Sequence, residues 1–316
     1  MAAPIESISA PRVLKLTGRM PIRASDEGRV RHKEPAAPGV APGERTVTCG
    51  VFFLTVPRQH GAWASLLSAY VLGVAAAGQL SFAPLLLLAA MLTAFFGRQA
   101  GLLAVKLPAS DPRRAGLLAW TAVFVAAFFA AGVPLLAEWG LTHLVPLGAA
   151  AFALLALTMV LERRRQAFTA FAETTGFIGL SLAAPAAEYA ASGIFTARTA
   201  AVGLMAAAYF VGSMLHVRFL LRSRPEALES LRGRLRAGAA PVIFHLHLFG
   251  FASAAAGAGL LPVLAPFAFA PAVAKVLWAV LHRRGSPILV RTLGWMEVVH
   301  TLLFVGLVAL VYRWPA

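Results

Sequence analysis

The sequence predicts an all-α, polytopic transmembrane helical bundle of about nine spans. Three observations predict it: apolar runs of bilayer length, basic residues gathered on alternate connections, and a composition too apolar for a soluble domain. Apolar residues make up 59% of the 316 and charged residues 13%, and the mean hydropathy is +0.76. A soluble domain carries about a quarter charged residues. In hydrocarbon the backbone must satisfy its own hydrogen bonds, so helices with apolar outer faces are the expected element.

In chain order the runs are Pro57–Gly78, Phe82–Val105, Ala115–Ala137, Leu141–Leu161, Phe168–Ala187, Thr199–Leu221, Pro241–Leu260, Leu261–Leu281 and Ile288–Val311. Each has about the length that a hydrocarbon core requires. Ahead of the first and at its opening lie nine Lys and Arg residues, from Arg12 to Arg58. Lys106, Arg113 and Arg114 follow the second run, Arg163, Arg164 and Arg165 the fourth, and Arg222, Arg224, Arg232, Arg234 and Arg236 the sixth. Arg283, Arg284 and Arg291 flank the turn into the ninth, while the other connections carry only Arg198. Cationic loops resist translocation, so the alternation predicts a cytoplasmic N-terminus and an outside C-terminus. Nine being odd agrees with that.

Residues 1–50 contain Pro, Gly and many Arg without apolar periodicity, and read as a disordered basic cytoplasmic tail. Residues 51–316 read as the transmembrane helical domain, with a surface helix and loop in Arg222–Gly238. The net charge of +15 sits at the cytoplasmic ends of the spans, where anionic headgroups attract it, so lipid rather than nucleic acid is the expected partner. Cys49 is the only cysteine, which excludes an intrachain disulfide and a multi-cysteine metal site.

Each ionisable group inside a span costs about 2.5–3.5 kcal/mol on the insertion scale, so each asks for a reason. Arg58, Gln59 and His60 open span one; Arg98 and Gln99 lie late in span two; Glu173 is early in span five. His216 and Arg218 are late in span six, His245 and His247 begin span seven, Lys275 is late in span eight, and Glu297 and His300 are in the first half of span nine. On the charge-derived topology all of them map to the cytoplasmic half, with only His143 and Glu188 at the outer rim. Glu297 and His300, three residues apart, share a helix face; His245 and His247, two apart, do not. A bland reading stands beside each: Arg98, Lys275 and Arg222 snorkel to the interface, and the paired histidines are interfacial. A carboxylate within a span, as at Glu173 and Glu297, still needs a cation or a proton.

The run Pro57-Arg58-Gln59-His60-Gly61-Ala62-Trp63 is the most specific local pattern. Pro suits a helix start and Trp63 an interface anchor, but neither accounts for three consecutive large polar groups before Gly61. The stretch LTVPRQHGAWASLLSAYVLG resembles the opening of the YwiC-like family of bacterial integral membrane proteins, and ERRRQAFTAFAETTG and RTLGWMEVVHTLLF fit the same family. The resemblance spans about residues 54–311 and implies a bacterial plasma-membrane protein without a defined reaction. The nine-span, N-in architecture is more distantly similar to the UbiA-like membrane prenyltransferases. Those carry aspartate-rich, magnesium-holding motifs at the ends of spans two and six. The corresponding stretches here, Phe95–Lys106 and Gly212–Arg224, contain no carboxylate, and Arg can contact phosphate oxygens directly instead.

The expected function is therefore that of a UbiA-like, prenyltransferase-type protein, active or degenerate, binding an isoprenoid or other anionic amphiphile from the cytoplasmic leaflet. Arg98, Arg218 and Lys275 would meet the anionic part, with Arg58, Gln59, His60 and His216 completing the substrate-binding set. Glu297 and His300 would give or take a proton, and Glu173 would orient a cation. Two alternatives stand beside it: a transporter or carrier, and a haem- or metal-binding membrane protein using the histidines. No cofactor and no metal site is assigned, and membrane lipids are the expected surroundings.

Overall fold

The computed structural model describes residues 55, 60–79, 81–223, 228–282 and 289–313. Arg58, Gln59 and the predicted tail 1–50 lie outside the described residues, as does the side chain of His60. The described residues form helices and no strand: α1 His60–Ala77, α2 Phe82–Lys106, α3 Pro112–Ala137, α4 Leu144–Arg163, α5 Ala170–Ser181, α6 Ala183–Ser192, α7 Ala197–Arg222, α8 Leu231–Ala237, α9 Ala239–Gly257, α10 Ala270–His282 and α11 Val290–Arg313. A 3-10 turn, Ala265–Phe269, leads directly into α10. Among the described residues, seven helical segments are long and apolar enough to cross a membrane: α2, α3, α4, α7, α9, the 3-10 turn with α10, and α11.

The remaining two apolar runs differ from the expectation. The first yields the shorter α1. The fifth is broken in two and extends five residues past Ala187, to Ser192. Pro185 explains the break, because it has no N–H for the Ser181 carbonyl and its ring crowds that oxygen. The chain turns at Leu182 and resumes with Ala186 N–H donating to the Leu182 carbonyl at 3.2 Å. Together the 12 and 10 residues of α5 and α6 reach about 33 Å, the length of one crossing. Pro241 acts likewise on Ala237, ending α8 and separating it from α9.

Small residues set the packing. α6 is almost wholly buried, with Ala183, Ala184, Ala187 and Ala190 among its inward residues, and α1 lies against it. A Cβ on Gly73 would stand 2.1 Å from the Ala184 carbonyl oxygen and 2.9 Å from the Glu188 amide nitrogen, so only glycine permits this approach. α2 and α3 pair along an aromatic seam in which Trp63 meets Phe95 and Phe96, and Phe96 stacks on Phe124. On the central face Tyr209 of α7 stacks on Phe304 of α11, centroids 4.0 Å apart. The outer faces of α3 and α4 are exposed apolar surface, Phe129, Val133, Val145 and Phe152 among it, as lipid contact requires.

Two predictions follow from these contacts. Gly73→Val should lower stability by about 1–3 kcal/mol or prevent folding, because a backbone oxygen cannot retreat. Gly132→Ala on α3, where added atoms meet open space, should leave the melting temperature in detergent unchanged. The second concerns Asp111, which caps α3. Its carboxylate accepts from the Arg113 guanidinium at 2.8 and 3.1 Å and from the Arg113 amide at 2.9 Å, which hold it down from 3.8 to about 2. Because the folded value is the lower one, its stabilisation is complete above about pH 4 and fades as pH falls towards 2. The melting-temperature gap between wild type and Asp111→Ala should be equal at pH 7 and pH 5 and smaller at pH 3.

Candidate functional site

Among the described residues, four ionic centres tie the apolar helices together. The most enclosed of those holding predicted site residues joins α7, α10 and α11. Lys275 Nζ donates to both carboxylate oxygens of Glu297, at 2.9 and 2.8 Å, and the two side chains are only 6% and 15% exposed. Ser213 Oγ donates to Glu297 Oε2, and His216 Nε2 stands 4.0 Å from Oε1. Ser213 and His216 are three residues apart, so one face of α7 presents both. The Glu297 carbonyl accepts from Thr301 Oγ1 at 2.7 Å, and Tyr209 OH donates to Thr301 Oγ1 at 3.4 Å. His245 is buried on the adjacent α9. Its Nδ1 lies 2.7 Å from the Pro241 carbonyl, so Nδ1 carries the proton and donates, while the Nε2 edge packs against Gly212 beside Ser213.

The second centre links α5 to the last turn and a half of α7. Arg218 Nη1 donates to Glu173 Oε2 at 2.6 Å and Arg222 Nη2 to Oε1 at 3.3 Å, and both guanidiniums also donate to the Phe168 carbonyl. α5 begins at a Thr169 cap whose hydroxyl accepts from the Ala172 amide. That cap sets Glu173 in the first turn, where a carboxylate is favoured by the helix dipole. The third centre ties α2 to α4: Glu162 accepts from Lys106 at 2.7 Å, and Arg98 stands 3.9 Å away.

These positions settle how the predicted residues are grouped. Glu297, Lys275 and His216 come together, and Arg218 with Glu173 lies within one turn of them along α7. Arg98 belongs to a separate pair. His300 turns back on its own helix, its Nδ1 2.7 Å from the Met296 carbonyl, and His247 does the same towards Ile243 from an exposed position. Every predicted cation among the described residues therefore already faces a carboxylate: Arg98 faces Glu162, Arg218 faces Glu173 and Lys275 faces Glu297. Among the described residues no group of three or more His, Cys, Asp and Glu is placed to hold a metal ion.

The fourth centre was not anticipated. Glu188 of α6, expected at a rim, is 3% exposed. It accepts from Thr199 Oγ1 at 2.6 Å, and Arg198 Nε stands 3.8 Å away with its guanidinium 4.8 Å over the Tyr312 ring. It lies about 21 Å from Ser213 along α7. Hydropathy ends the span at Ala187, so the sequence offers no sign of this burial; it results from α1 crowding α6 at Gly73. Ser213 was also missed, although its three-residue spacing from His216 is a readable signal. The third overlooked residue, Glu162, lay in a basic run that reads as solvated.

A groove of about 520 Å³ runs between α7 and α9, lined by Leu204, Met205, Phe244, Leu248, Phe251 and Phe269 among other apolar side chains. Phe244, at one end of it, also packs on Gly212. On α7 the groove's lining ends at Ala208, five residues before Ser213.

The Lys275–Glu297 pair yields a stability prediction. Lys275→Met leaves Glu297 buried without its cation and should cost about 3–5 kcal/mol, whereas Lys275→Met with Glu297→Leu removes both charges and should recover most of that loss. Thermal unfolding of the single and double variants in detergent checks it; a double variant no more stable than the single one would contradict the pairing.

Comparison with known proteins bears on the N-terminal part. Residues 56–188 match the model of the family described as YwiC-like protein. No curated protein and no solved structure matches the chain. The matched stretch contains Glu162, Glu173 and Glu188 and ends before Ser213, Lys275 and Glu297. It includes the Pro57–Trp63 run, so from that opening through Glu188 of α6 the chain is similar to the YwiC-like family, and the stretch contains apolar helices long enough to cross a membrane.

Proposed function

We propose that this is a plasma-membrane protein of nine crossings that takes an anionic amphiphile from the cytoplasmic leaflet, holding the head at Lys275 and the tail in the α7–α9 groove. The observation that carries the reading is the enclosed Lys275–Glu297 pair, whose Ser213 partner lies about 8 Å along α7 from Ala208, the groove's last α7 residue. Glu297 then occupies the place of the ligand's own negative charge. Ser213 and His216 from α7, Lys275 from α10 and Thr301 on α11 face or support it, and His245 of α9 packs on neighbouring Gly212.

An arriving anion takes Lys275 from Glu297. The displaced carboxylate is tolerable in an apolar interior only with a proton or beside a charged His216. Binding therefore brings one proton with it, and the net charge of the centre is preserved. An ion-paired group inside a span is the usual mark of such proton-linked traffic. An isoprenoid chain suits the groove as well as an acyl chain does, which is where the prenyltransferase-type reading has its support. With no carboxylate pair in Phe95–Lys106 or Gly212–Arg224, the chemistry of the residues favours binding and carriage over metal-assisted ionisation of a diphosphate. The N-in orientation has its support in the alternating Arg-rich connections.

Native mass spectrometry of the purified protein tests this. Wild type should retain more anionic amphiphile at pH 6 than at pH 8. Glu297→Gln should retain it at both, about ten-fold above Lys275→Gln, a difference of about 1.4 kcal/mol. Equal ligand content in wild type and Lys275→Gln would end the proposal.

A further inference from the structure

Outside the ionic centres, the short helix α8 forms a surface of its own. Its seven residues, LRGRLRA, are too few to cross a bilayer. Ser230 caps it by accepting from the Gly233 amide at 3.0 Å. It is pinned from below at both ends: Leu228 is buried just before it, and a Cβ on Gly238 just after it would stand 2.4 Å from Val280 of α10. Val280 lies five residues beyond Lys275, so α8 sits at the same end of the bundle as Arg218 and Arg222.

What α8 turns outward is specific. Leu231 and Leu235, four residues apart and so on one face, are 50% and 49% exposed. Arg232 and Arg236, also four apart, form an exposed row about 100° to one side of the leucines. Arg234 lies on the other side and donates to the Leu228 and Glu229 carbonyls, which keeps it structural. Two exposed leucines flanked by arginines on a helix fixed at the end of a membrane bundle match the boundary between headgroups and acyl chains. There the leucines enter hydrocarbon and the guanidiniums reach phosphate. Glu229, exposed one residue before the cap, offsets only part of this charge.

We infer that α8 is a docking surface for anionic phospholipid headgroups, with Arg232 and Arg236 as the phosphate-contacting residues and Leu231 and Leu235 as the inserted anchors. The site is independent of Lys275: it binds lipid at the bundle's edge, whatever occupies the interior. The ends of α7, α9 and α10 meet around α8, so a bound headgroup layer holds those ends in place.

The full-length protein titrated with phosphatidylglycerol in detergent, with phosphatidylcholine in parallel and bound lipid counted by native mass spectrometry, tests the inference. Removing two arginines near a surface should weaken phosphatidylglycerol binding about ten-fold or more. R232Q/R236Q is expected to show that loss and to keep its weak phosphatidylcholine binding. L231S/L235S should weaken both lipids. R163Q/R164Q removes the same charge from another exposed loop and should stay within two-fold of wild type. Unchanged phosphatidylglycerol affinity in R232Q/R236Q would overturn the inference. So would an equal loss in R163Q/R164Q, since net charge alone would then account for the binding.

Discussion

A carboxylate cannot remain charged in hydrocarbon without a cation, and this requirement organises the molecule. Glu297, Glu173, Glu162 and Glu188 each face a basic side chain from another element, and each pair ties two helices together. The apolar surfaces that surround them have no preferred partner, because lipid tails solvate a leucine as well as another helix does. Ion pairs and small-residue contacts therefore supply the discrimination that the hydrophobic effect supplies in water. Gly73 against Ala184 and Glu297 against Lys275 are the two kinds of contact at their most enclosed.

The same requirement constrains chemistry. A free cationic pocket would attract an anion but would stand uncompensated when empty. Pairing Lys275 with Glu297 removes that cost, and on the proposed reading anion binding becomes an exchange between two carboxylate-like partners. The His216 ring, 4.0 Å from Glu297, is placed to share the displaced charge. Arg98 and Arg218, at 18% and 21% exposed, are nearer solvent, where an ion pair contributes less. For them a structural role in joining α2 to α4 and α5 to α7 is sufficient.

Much of the architecture was legible in the sequence, since hydropathy and charge are summed along the chain and need no tertiary information. Each of the seven long apolar helical segments overlaps a predicted run and passes its ends by no more than three residues, and Glu173, His216 and Glu297 share an end because their depths were set by their distance from the basic connections. The break before α6 was written in Pro185 but hidden by a continuous apolar run. Partner identity was less legible. Which cation meets Glu297 depends on how three helices rotate about their axes, and no periodicity in a wholly apolar helix fixes that rotation: α7 and α9 are apolar on nearly every side. Glu188 shows the deeper difficulty. Its burial comes from glycine and alanine on α1 and α6, residues that carry no signal of what they admit.

α7 carries the argument one step further. Thr199 and Arg198 serve Glu188 on α6, Ser213 and His216 face Glu297 on α11, and Arg218 and Arg222 hold Glu173 on α5. Three carboxylates on three helices thus find partners along one helix, over about 36 Å. A rotation of α7 that relieved any one of them would misalign the others, because a regular helix turns as a unit. Between the Glu188 and Glu297 centres the Tyr209–Phe304 stack fills the gap with rigid aromatic surface, which resists a slide of α7 against α11. An exchange of partners at Glu297 is consequently confined to side chains, chiefly the flexible Lys275 stem, unless all three centres change together. That restriction favours a ligand that approaches sideways through the α7–α9 groove over one that requires the bundle to open.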